Sequence, residues 1–249
     1  MQISISNSSN DLGRTAACQK LRGELARHRF VRWPVLPLSA LSACVLTLVL
    51  LMADSAHAET VLENFETGVN GFPSKWRVSN DTAKTIYRIE SEKGNRYLRA
   101  HADNQAVQIG LEHIFDPKTQ PRLKWRWRVR QLPPGADERV SGKHDAAAQV
   151  YVIFDNQIRP RVVKYTWSSS LPRGTQFTSP LYDRNKGIVL RSGPAGSGRW
   201  YEEEVNFLED YKKLFGAEPG KVQGIAILTS SDATKTVAAA DYDDFVLLP

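Results

Sequence analysis

Ala146-Ala147-Ala148-Gln149-Val150-Tyr151-Val152-Ile153-Phe154 and Arg161-Val162-Val163-Lys164-Tyr165-Thr166-Trp167-Ser168 are two runs rich in β-branched and aromatic residues. A polar segment with a proline, residues 155–160, lies between them. They read as the arms of one β-hairpin. Pairing Asp155 with Arg161 sets Ile153 opposite Val163, Tyr151 opposite Tyr165 and Gln149 opposite Trp167. Side chains alternate across a strand, so those pairs share one face, an amphipathic aromatic platform. Val150, Val152, Phe154 and Val162 then occupy the other face. A slip of one residue dissolves the platform.

Working outward, the strand signals continue on both sides. Thr60–Phe65, Lys84–Glu90, Tyr97–His101 and Ala106–Phe115 read as short strands separated by turn residues. After Pro121, Leu123, Trp125, Trp127 and Val129 alternate with Arg122, Lys124, Arg126, Arg128 and Arg130. That strand has one apolar and one cationic face. Beyond the hairpin, Gly187–Arg191, Arg199–Val205, Val222–Leu228 and Val237–Leu248 complete the strand pattern. A helix is expected from Phe207 to Phe215, with Asn206 as N-cap, Glu209 three residues on, and Gly216 as terminator. Many short strands and a single helix predict an all-β fold, a jelly-roll-like antiparallel β-sandwich with one short helix.

The N-terminus reads differently. Arg27, Arg29 and Arg32 precede an uncharged apolar run from Val35 to Ala53, followed by Ala56-His57-Ala58. This is the order of a signal peptide with a long n-region, cleaved after Ala58. Residues 1–58 are expected to be leader and residues 59–249 a single β-sandwich domain. A retained anchor is the alternative, and the membrane is then met only through this segment. Leu41-Ser42-Ala43-Cys44 also resembles a lipoprotein box, but the apolar run continues beyond it. Export to the periplasm is expected, with secretion or membrane anchoring as alternatives. Cys18 and Cys44 both fall in the leader, so the mature chain holds no thiol chemistry and no disulfide. Six of the 33 Lys and Arg and three of the 27 acids also fall there. The mature chain is therefore only mildly basic, and no nucleic-acid partner is expected.

Several motifs resemble a bacterial exported family known only as domain of unknown function 3047. They are Gly71-Phe72-Pro73-Ser74-Lys75-Trp76, Trp125-Arg126-Trp127-Arg128-Val129, Asp145–Phe154, Lys164-Tyr165-Thr166-Trp167-Ser168, Asp210–Gly216, Gly224–Thr229 and Asp241-Tyr242-Asp243-Asp244. The resemblance spans essentially all of the mature chain and implies no assigned activity.

Candidate chemistry is confined to a few constellations. Aromatic faces stack on the C–H face of sugar rings, so Tyr151, Tyr165 and Trp167 are candidate glycan-binding residues. Gln149, Lys164 and Asp145 would supply polar contacts to hydroxyls. The competing reading places the large rings in the core. The row Arg122, Lys124, Arg126, Arg128 and Arg130 would suit an anionic polymer unless acids on neighbouring strands neutralise it. Glu63 and Glu66 near the first strand and Asp243 and Asp244 near the last are a candidate calcium site, because hard oxygen ligands suit that ion. No other cofactor is implied. His144-Asp145 are adjacent and point apart on an extended chain, so they do not make an acid–base pair by themselves. No H-E-x-x-H, G-x-S-x-G or P-loop motif is present. The expected function is non-catalytic binding of a glycan or other cell-envelope polymer. The alternatives are a polysaccharide-acting lyase or hydrolase, using Tyr165 with Lys164 or His144, and a structural envelope protein that binds another protein.

Overall fold

The computed structural model describes residues 58–78, 80–155, 158–194, 196 and 198–249. The expected leader, including Ala56 of its cleavage motif, lies outside the described residues, apart from Ala58. In chain order the elements are β1 (Thr60–Glu63), β2 (Arg77–Val78), the one-turn helix α1 (Ala83–Ile86), β3 (Tyr87–Glu92), β4 (Asn95–Asp103), β5 (Ile109–Phe115) and β6 (Arg122–Gln131). There follow β7 (Ala148–Phe154), β8 (Arg161–Ser168), β9 (Gln176–Thr178), β10 (Asn185–Ser192), β11 (Tyr201–Asn206), α2 (Phe207–Phe215), β12 (Val222–Leu228) and β13 (Val237–Leu248).

The strands form two sheets. The first has the order β11-β6-β13-β4-β3, with β1 added to β13. The second has the order β2-β5-β12-β7-β8-β10-β9. The fold is the expected all-β sandwich, with two corrections. β8 and β10 run parallel, so the second sheet is mixed. The start of the expected strand Lys84–Glu90 winds into α1 instead. Helix α2 forms where its signals lie, with Glu209 N donating to the Asn206 side chain at 3.0 Å and Gly216 left-handed at φ 64°. Its buried Tyr211 packs on Phe154 with ring centroids 4.6 Å apart.

The hairpin forms, but its register is one residue from the expected one. Val150 stands opposite Tyr165, Tyr151 opposite Lys164 and Gln149 opposite Thr166. Tyr165 and Trp167 therefore share the inner face with Val150, Val152 and Phe154, and all five are fully buried. The rings pack across to β6: Tyr165 lies 5.8 Å from Trp125, and Trp167 lies 6.0 Å from Trp127. The physical reason is the segregation of polarity. The expected register would have put Lys164 and Thr166 between the sheets with Val150 and Val152. The observed one gathers the apolar side chains inside and leaves Gln149, Tyr151, Lys164 and Thr166 outside. The aromatic platform is thus a core aromatic cluster. The Tyr165 hydroxyl keeps its hydrogen bond by donating to Asp210 of α2 at 2.7 Å.

Candidate functional site

The outer face of the second sheet carries a cleft of about 350 Å³. Two of its lining residues, Tyr151 and Lys164, belong to one row of cross-strand neighbours. Gly110 of β5, Ala226 of β12, Tyr151 of β7, Lys164 of β8, Gly187 of β10 and Phe177 of β9 follow one another across six strands. Small residues flank large ones, so the row is not filled evenly. A Cβ at Gly187 would sit 2.2 Å from the Phe177 ring. The missing side chain lets that ring lie down over β10 and reach Lys164.

Three expected site residues meet here. Gln149, Tyr151 and Lys164 all line the cleft. The Tyr151 hydroxyl donates to Gln149 Oε1 at 2.8 Å, and Gln149 Nε2 donates to Ser230 Oγ at 3.1 Å. This chain fixes the amide orientation and leaves Gln149 one further N–H and one further lone pair. Burial pushes the Tyr151 phenol well above its ordinary range, so it stays a neutral donor. The other expected residues go elsewhere. Tyr165 and Trp167 face the core. Asp145 is buried and accepts from Thr234 N and Thr234 Oγ1, both at 2.7 Å. Those bonds tie down the loop that delivers Ser230 and Asp232 to the cleft.

Apart from His144, a candidate for the lyase alternative, the walls hold residues that no local pattern identified. Tyr182 comes from the approach to β10 and Asn185 from its first position, Gln108 from the approach to β5, and His144 from the hairpin entrance. Asn185 Oδ1 and His144 Nδ1 are buried polar atoms without a protein partner. Such atoms call for water or a ligand. Leu181 stands 65% exposed at the rim and adds apolar surface.

Lys164 is the cationic floor residue, only 4% exposed. Its Nζ lies 4.8 Å from the Phe177 ring centroid and 5.9 Å from that of Tyr151. Among the described residues, no acceptor takes a hydrogen bond from it and no carboxylate pairs with it. Burial brings its ammonium down to about 8, against an opposing pull from Glu138. Glu138, on the loop between β6 and β7, is fully buried. Its Oε2 accepts from Ser168 Oγ at 2.8 Å, while Oε1 has no partner. Burial raises the carboxyl above its usual range.

The outer face of the first sheet is organised differently. The fully buried Asp241 of β13 accepts from Arg99 Nε at 2.5 Å, Arg128 Nε at 2.5 Å and Arg130 Nε at 2.7 Å. Asp243 accepts from Arg126 Nη2 at 2.7 Å and from Asn95 Nδ2 at 2.8 Å. Arg122 reaches Glu204 at 2.6 Å. The four arginines of the cationic row are thus answered by the chain's own acids, mainly from β13 beside it. The four residues weighed for calcium are held by protein donors. Glu63 accepts from Phe65 N at 2.8 Å and Trp76 Nε1 at 3.2 Å, and Glu66 accepts from Arg96 N at 3.3 Å. Asp243 is paired as above, and Asp244 meets Arg126 at 2.8 Å. Among the described residues, no group of three or more His, Asp or Glu is arranged to hold a metal ion.

The family model described as Protein of unknown function (DUF3047) matches residues 74–246. No curated protein matches the chain. Among solved structures, CBM27-1 of Caldicellulosiruptor saccharolyticus, in complex with mannohexaose, is similar at 10% identity and TM-score 0.39, over 77% of this chain and 97% of that one. The Emp47p carbohydrate recognition domain is similar at 11% identity and TM-score 0.41, over 75% and 92%. The family 11 xylanase of Neocallimastix patriciarum is similar at 11% identity and TM-score 0.33, over 76% and 95%.

Proposed function

The chain belongs to the DUF3047 family of proteins of unknown function, and we propose that its cleft over Gln149, Tyr151 and Lys164 binds a glycan or another polymer of the cell envelope without transforming it. The observation that carries this reading is the chemistry of the lining. Amides, hydroxyls and an imidazole converge from several strands on one shallow cleft, with Leu181 and Tyr182 at its side. Sugar hydroxyls need donors and acceptors in about equal number, and amides supply both. Apolar and aromatic edges meet the C–H faces of the rings. The proposal includes export to the periplasm through the leader. The basic flank, the apolar run and Ala56-His57-Ala58 support that part of it.

The test is a titration of the purified protein with neutral and acidic oligosaccharides, beside Gln108→Ala and Tyr182→Ala. Both side chains reach the cleft from its edge, so folding is retained. The expected result is saturable binding, weakened about tenfold in each variant, the loss of roughly one good hydrogen bond. Absence of saturable binding across the whole panel overturns the reading. Release of new reducing ends would replace binding by hydrolysis.

A further inference from the structure

We propose that the cleft selects an acidic sugar, and that Lys164 receives the carboxylate of a uronic acid. This rests on the glycan-binding reading and names the ligand class of the same site.

The inference starts from an imbalance. An ammonium group carries three N–H donors and no acceptor. Lys164 is almost fully buried, between the rings of Phe177 and Tyr151. Those rings stabilise the charge through their faces but accept no ordinary hydrogen bond. A buried charge is ordinarily paired, because an unpaired one is costly to desolvate. Arg128, buried to the same degree, follows that rule through Asp241.

The surroundings are built to keep this one cation in place. Lys164 sits in mid-strand, with β7 on one side and β10 on the other. Gly187 is its neighbour on β10, and only a glycine there admits the Phe177 ring beside the ammonium. Glu138 acts on Lys164 through its field but forms no ion pair with it within 4.0 Å among the described residues. A carboxylate entering the cleft supplies what is missing, a negative charge and acceptor oxygens for charge-assisted hydrogen bonds. The amides and hydroxyls of the walls remain free for the hydroxyls of the same sugar.

The experiment compares galacturonate and mannuronate oligosaccharides with their carboxyl-reduced counterparts, which keep every ring hydroxyl and lose the charge. Titrations are run on the wild-type protein and on Lys164→Met. The expected result is a preference of at least thirtyfold for one uronate over its reduced form. Lys164→Met should abolish that preference. Equal binding of acidic and reduced ligands by the wild type overturns the inference and leaves the glycan reading standing. A preference that survives in Lys164→Met overturns it too. Failure of every ligand, acidic and neutral, removes the glycan reading itself. The wild-type comparison stands alone if Lys164→Met does not fold.

Discussion

The two outer faces of the sandwich treat positive charge in opposite ways. On the first sheet, Arg99, Arg128 and Arg130 converge on Asp241, and Arg126 meets Asp243 and Asp244. On the second, Lys164 is buried as deeply as Arg128 and, among the described residues, pairs with no carboxylate and meets the faces of two aromatic rings. The first face is thereby a structural network in which these arginines already have their answers. The second has an open valence. The number of cations on a strand is a poor guide to binding, and a single unanswered one says more than a full row.

That contrast can be broken at several points. Asp241→Ala removes the acceptor shared by three guanidinium groups. It should destabilise the fold most, by about 5 kcal/mol, measured by urea denaturation. Trp167→Ala should cost about 4 kcal/mol, because it opens a cavity between the sheets. A stable Trp167→Ala protein with impaired glycan binding would contradict the observed register.

Lys164 should behave in the opposite sense to Asp241. Lys164→Met removes an unpaired buried charge and should leave stability at pH 7 unchanged or raised. The pH dependence has a definite sign. The folded-state pKa is about 8, below the ordinary 10.5, so the unfolded chain binds more protons between those values. Wild-type stability should therefore rise with pH across that window, by up to about 3 kcal/mol relative to Lys164→Met. Denaturation midpoints at pH 7, 8, 9 and 10 read this directly.

The smallest effect belongs to Asp243. Burial raises its carboxyl from 3.8 to about 6, with Asn95 and Arg126 opposing the shift. The folded state then holds the proton more tightly, and stability should fall as pH rises through that interval. Asp243→Asn should flatten the slope.

Much of the architecture was legible in local pattern. The alternation of β6 marked Trp125 and Trp127 as inner and the arginines as outer, and both faces are so disposed. The Asn206 and Gly216 signals bounded α2 correctly. The hairpin arms were visible, but their register was not, since pairing Asp155 with Arg161 matched aromatic to aromatic. What decides the register is Lys164, whose charge keeps its face outside and so turns Tyr165 inward. The site was half legible for the same reason. Gln149, Tyr151 and Lys164 lie on strands whose alternation can be read. Ser230, Asn185, Tyr182 and Glu138 reach the region through loops and a parallel pairing between β8 and β10, which depend on topology rather than on spacing. The calcium expectation rested on acids near the first and last strands, and those acids hold the chain's own donors.

The position of β13 has a consequence for how the molecule is made. It lies between β6 and β4 and also carries β1, although it follows β6 by more than a hundred residues. Until residues 237–248 have left the ribosome, β4 and β6 have no strand to join them, and their edges stay unpaired. This half of the protein therefore cannot assemble before β13 is made, and folding is dominated by distant contacts that close slowly. A nascent chain stalled before Val237 would be a substrate for chaperones or proteases rather than a partly finished domain.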